Sequence, residues 1–115
     1  MRVVLATVLV TASLAAQGST WANITPPSPA VSPTGRMHHG MSYDTARLRA
    51  VVFGGRASAS TDTNLNETWE WNGVAWQQRS VLVSPSARRQ TAFTFDSGRG
   101  QSVLFGGYAS TTTTQ

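Results

Sequence analysis

From Arg36 to Asp44 the chain alternates with period two. His39, Met41 and Tyr43 fall on one face of a strand, and His38, Gly40 and Ser42 on the other. A later stretch does the same, with Thr91, Phe93 and Phe95 set against Gln90, Ala92 and Thr94. Each stretch runs into a turn, Asp44-Thr45-Ala46-Arg47 or Asp96-Ser97-Gly98-Arg99, where the Asp carboxylate is available to the backbone two residues on. A short apolar strand follows and ends in a double glycine, Gly54-Gly55 or Gly106-Gly107, which suits positive φ or a close backbone approach. Thr68-Trp69-Glu70-Trp71 then places both tryptophans on one strand face. Asn72-Gly73 predicts a two-residue type I′ hairpin turn leading into a fourth strand around Trp76. The pattern predicts short antiparallel strands, an all-β chain.

These similarities recur at a fixed distance. Phe53-Gly54-Gly55 returns as Phe105-Gly106-Gly107, Tyr43-Asp44 as Phe95-Asp96, and Arg36 as Arg88, each 52 positions later. Val51-Val52 matches Val103-Leu104, and Met41 matches Phe93. Trp21 and Trp76 are 55 apart, so the proline-rich Pro26–Pro33 connection carries three extra residues. A repeat of about 50 residues, with four short strands, a terminal Gly-Gly and later Trp, is the pattern of kelch β-propeller blades. Arg36, His39, Tyr43, Asp44, Gly54, Gly55, Trp69, Trp71 and Trp76, with Arg88, Asp96, Gly106 and Gly107 in the second copy, carry this resemblance. The chain resembles exported bacterial kelch proteins, whose propellers are similar to the central domain of galactose oxidase.

The repeat and the pattern of the amino terminus imply a division into a secretory signal (1–18), a leading strand with its proline-rich connection (19–35), a complete repeat (36–86) and a truncated second repeat (87–115). At the same offset Asn66-Glu67-Thr68-Trp69 would recur from position 118, past Gln115. The expected architecture is therefore about one and a half blades plus a leading strand, the amino-terminal part of a propeller that needs several blades to close. The alternative is a short chain that assembles with copies of itself, each blade burying its faces only against neighbours. A frame that yields no functional product is a third. For a lone copy, exposed Trp69, Trp71 and Phe105 faces and unpaired edges would favour aggregation.

Residues Met1–Gly18 read as an export signal: Arg2, an apolar run from Val3 to Ala16, then small residues that permit cleavage after Ala15 or Gly18. As a helix that run would extend about 21 Å, short of the ~30 Å hydrocarbon core, so a stable span after signal removal is not expected. The expected location is secreted or periplasmic.

Composition narrows the chemistry. The 115 residues suffice for one small domain, and charged residues make up only 12%. With no Cys, a disulfide scaffold, thiolate metal sites and a Cys nucleophile are excluded. The net charge of +4 comes wholly from arginine and is spread along the chain, which argues against a nucleic-acid partner.

His38 and His39 point to opposite strand faces in this reading and cannot chelate one metal. His39 stands where kelch repeats carry a His that helps hold the innermost strand. His38, with Arg89 or Gln90 nearby, would face the central channel and touch ligand. Arg36 and Arg88 suit backbone carbonyls or a carboxylate such as Asp44 or Asp96. Trp69, Trp71 and Trp76 are expected to pack between blades rather than stack on sugars. The Ser/Thr/Asn-rich loop Arg56 to Asn66 is expected to be an exposed surface. Asn23 and Asn66 head glycosylation sequons, expected to be unmodified in a bacterial chain. No catalytic constellation is present, no cofactor site is expected, and the copper site of galactose oxidase would need a Tyr–Cys crosslink.

The expected function is a non-catalytic binding or scaffolding module for a glycan or protein ligand. The alternative is the amino-terminal part of a propeller enzyme, a sugar oxidase or epimerase, whose catalytic residues lie beyond Gln115.

Overall fold

A computed structural model describes residues 31–57 and 63–109. The expected signal segment, the expected strand at Trp21 and the threonine-rich tail from Thr111 lie outside them. The described residues contain six strands and no helix: β1 (Gly40–Asp44), β2 (Arg49–Phe53), β3 (Thr68–Trp71), β4 (Trp76–Arg79), β5 (Ala92–Asp96) and β6 (Gln101–Phe105). They form two antiparallel sheets, one of four strands in the order β1-β2-β3-β4 and one of β5 and β6. Neither closes on itself. Among the described residues no helix is long and apolar enough to cross a membrane.

β2 sits inside the larger sheet because its run Ala50-Val51-Val52-Phe53 has no polar side chain to offer solvent, and all four residues are buried. The register pairs Val52 with Trp69 and Ala50 with Trp71, so both tryptophans share the face of Val52. Trp71 lies opposite Trp76, their rings tilted with centroids 5.5 Å apart. Trp69 is only 4% exposed, contrary to the expectation of a bare indole face. Its N–H donates to Glu67 Oε2 at 2.9 Å, which satisfies the polar edge and permits burial.

Two local expectations are corrected. The connection between β3 and β4 is a four-residue loop, 72–75, rather than a two-residue type I′ turn. Asn72 uses its side chain instead: Oδ1 accepts from the N–H groups of Val74 (2.9 Å) and Ala75 (2.8 Å), and only Gly73 has positive φ. The alternation from Arg36 to Asp44 also breaks before Gly40, because His38 turns left-handed at φ 56°. Within β1, Gly40 and Asp44 are buried while Met41 and Tyr43 are exposed.

The 52-residue repeat reappears in the backbone. His38 and Gln90 both have φ 56°, Gly54 and Gly106 have 64° and 67°, and Gly55 and Gly107 have 92° and 89°. The isolated bridge Met37–Arg56 is matched by Arg89–Tyr108, and the pairing of β1 with β2 by that of β5 with β6. Both turns are held alike. Asp44 Oδ1 accepts from the N–H groups of Ala46 and Arg47, and Asp96 Oδ1 from that of Arg99. The β5–β6 sheet copies the β1–β2 half of the larger sheet.

They pack face on face. Phe93 of β5 lies against Gly40 of β1, so close that a Cβ there would come within 2.8 Å of the Phe93 Cβ. Gly40 is thus the small residue that lets the second sheet approach. The double glycine sets the ends: with positive φ, Gly54 donates its N–H to Glu67 O (3.0 Å) and Gly55 donates to Arg88 O (2.9 Å) in the next unit. A Cβ on Gly54 would run into the Arg88 carbonyl. Gly54→Ala is accordingly expected to lower unfolding stability by roughly 1–3 kcal/mol, as strained backbone does. Gly35→Ala, where φ is not positive and the space is open, should change it little. Urea titration followed by tryptophan fluorescence separates the two.

Candidate functional site

The strand ends nearest the double glycine gather most of the polar side chains singled out above. Arg36 is nearly buried and clamps three neighbours: Nη1 donates to Gly54 O (3.2 Å), Nε to Thr34 O (3.1 Å) and Nη2 to Glu67 Oε2 (2.7 Å). Arg88 repeats this on Gly106 O (2.9 Å) and Ser86 O (3.1 Å). Both arginines therefore hold backbone carbonyls of the glycine turn. Neither meets Asp44 or Asp96, which lie at the far ends of β1 and β5. Those carboxylates pair with Arg47 and Arg99, each at 2.6 Å.

Between the two units lies a polar knot. Arg89 Nη1 donates to Asn64 Oδ1 (2.9 Å), and its guanidinium stacks over the Tyr108 ring at 4.5 Å. Asn64 is buried and donates to Tyr108 O (2.9 Å), so one amide joins the loop before β3 to the end of β6. The expectation of an exposed loop over Arg56–Asn66 holds for Ala57, Thr63 and Asn66 but not for the buried Asn64. Arg56 is half-buried and bridged to Asn64, and residues 58–62 lie outside the described residues. His38 and Gln90 meet beside the knot, where Gln90 N–H donates to His38 O at 2.8 Å. Their side chains are exposed, both on left-handed residues, so they stand off the sheets toward solvent. His39 is exposed too, with its Cβ close to Gly55, and makes no side-chain hydrogen bond among the described residues.

A second cluster occupies the opposite ends of the strands. Glu70, 5% exposed, accepts from Arg47 (2.9 Å), Arg49 (3.3 Å) and Arg79 (2.9 Å). Burial pushes its carboxyl upward, but the hydrogen bonds from Arg79 and Arg47 outweigh that and hold it below the ordinary range. The buried Asp44 carboxyl is lowered for the same reason, burial being overcome by the N–H and guanidinium of Arg47. At the glycine end, the Trp69 indole and then Arg36 lower Glu67. None of these groups was singled out in the sequence except Asp44. The signal for Glu70 is present only once register is known, since Val51 opposite Glu70 brings Arg49 and Arg79 alongside.

An open cleft of about 680 Å³ runs between the sheets, walled by Val51, Phe53, Thr68 and Glu70 on one side and Phe93 and Leu104 on the other. Its polar wall is already engaged by arginine. Among the described residues no three His, Asp or Glu side chains converge on one point. What the arrangement offers chemically is hydrogen bonding from His38 and Gln90 at the junction of the two units. No family model matches the chain, and no curated protein matches it.

The lowered carboxylates fix the sign of the acid response. A group whose pKa falls on folding contributes stability above its unfolded value, about 4.3 for Glu, and loses it as pH drops through the folded value. Stability should fall as pH is lowered past about 4.3. Glu70→Gln should flatten that slope and cost roughly 1–3 kcal/mol at neutral pH, since it strips charge from three bonded arginines whose outer parts remain in water. Denaturant titrations across pH read both effects.

Proposed function

We propose that the chain belongs to an exported propeller of the kelch type and acts as a non-catalytic binding or scaffolding module for a glycan or protein ligand. The observation that carries this reading is the repeat itself. Sheet pairing, the Arg clamp on the glycine carbonyl and the backbone angles all recur at 52 residues, and the second unit stacks on the first. Units of this kind bury their faces only against neighbours, and a ring of them is one way to leave none bare. The Val3–Ala16 run and the small residues after it support export. His38 and Gln90, exposed at the junction of two units, are the contacts through which a ligand would be held, with Arg89 behind them.

Expression of the chain in a bacterial host, with fractionation and amino-terminal sequencing, should recover mature protein outside the cytoplasm beginning after Ala15 or Gly18. Affinity electrophoresis through a panel of soluble polysaccharides should then show retardation that His38→Gly and Gln90→Gly reduce about tenfold, a loss of about 1.4 kcal/mol. Glycine tolerates φ 56°, so the variants remove the side chain without straining the backbone. Unprocessed cytoplasmic protein would count against export. Retardation unaltered by both variants would remove the junction as the binding site.

A further inference from the structure

The interface between the two units is built from unlike faces, and each unit carries one spare. The face that β1 and β2 turn toward the second unit holds Gly40, Ser42, Val51 and Phe53. The face that β5 and β6 turn back toward it holds Phe93, Phe95 and Leu104. By the 52-residue offset, the outer face of the second unit presents Ala92, Thr94, Val103 and Phe105 in the places of the first set. Phe105 is 79% exposed and Val103 45%. The outer face of the first unit presents Met41 and Tyr43 in the places of Phe93 and Phe95, 56% and 52% exposed, while Val52 in the place of Leu104 is already buried on that face beside Trp69.

We infer that the Met41/Tyr43 face of one copy docks on the Val103/Phe105 face of a second copy, repeating between chains the interface seen within one. The complement of each spare face is on this same chain, and the substitutions agree. Where the internal contact sets Gly40 against Phe93 with no room for a Cβ, the outer contact sets Ala92 against Met41, a narrower and more flexible side chain. Added methyl and lost ring offset one another. The contact is head-to-tail, since the two faces differ, so association closes into a ring or continues as a filament. This assembly goes beyond ligand binding and stands or falls separately from it.

Sedimentation of the purified full chain is expected to give a mass that rises with concentration. Phe105→Asp and Met41→Asp should each sediment as monomers alone, because each destroys one face. Mixed, they should form a one-to-one dimer and nothing larger, since each retains the face the other lacks. A wild-type chain that stays monomeric at all concentrations overturns the inference and leaves these faces to a different chain. So does a mixture that stays monomeric, or a Phe105→Asp variant that assembles like the wild type. Should Phe105→Asp lose its β-sheet circular dichroism, Val103→Lys on the same face makes the same test.

Discussion

Three backbone hydrogen bonds tie the two units together: Gly55 N–H to Arg88 O, Arg88 N–H to Leu65 O and Gln90 N–H to His38 O. At Gly54 and Gly55 the chain leaves β2 with positive φ, and this turns the Gly55 N–H out of its own sheet toward the carbonyl of Arg88. Arg88 in turn donates its N–H to Leu65 O, and Leu65 donates to Gly55 O, so three segments distant in sequence are tied within one small circuit. Nothing with a Cβ fits at Gly54, because the Arg88 carbonyl occupies that space. The glycines therefore fix both where a sheet ends and where the next begins. Sheet packing, the polar knot at Asn64 and the exposed pair His38 and Gln90 all follow from that placement.

The arginines complete the frame rather than forming a basic surface. Arg36 and Arg88 cap the carbonyls that the glycine turns leave over, and Arg47 and Arg99 brace the turns at the opposite strand ends. Arg49 and Arg79 join Arg47 on the buried Glu70. A planar, five-donor head suits these tasks, and lysine, which the chain lacks, would satisfy only part of them. The positive balance is thus a by-product of how loops are held.

Much of this was legible in the sequence because the repeat imposes the same demands twice. The strands, the Asp-braced turns and the double glycine are local patterns, and local patterns survive translation into structure. The double Trp of β3 was placed on one face correctly, yet Trp69 was expected to be covered by a neighbouring blade, whereas its indole N–H is satisfied locally by Glu67, which Arg36 holds from 31 residues away. Asn72-Gly73 misled for a related reason: Asn72 caps its own loop, and a four-residue connection costs no strand pairing. Left-handed His38 could not be read from alternation at all. Its equivalence to Gln90 follows from the 52-residue offset, but that two chemically unlike residues share one left-handed conformation becomes visible only in the dihedral angles. Glu70 and Asn64 illustrate the remaining gap, because their partners are set by register and by the second unit rather than by spacing.

Docking through the glycine turn should make the two units one rigid body. Amide hydrogen exchange tests it directly. The N–H groups of Gly55 and Gln90 bond across units, to Arg88 O and His38 O, whereas that of Val52 lies within a single sheet. If the units are docked, Gly55 and Gln90 exchange as slowly as Val52 does. Exchange of Gly55 and Gln90 at loop rates, with Val52 still protected, would mean that the sheets fold but do not dock, and would contradict it.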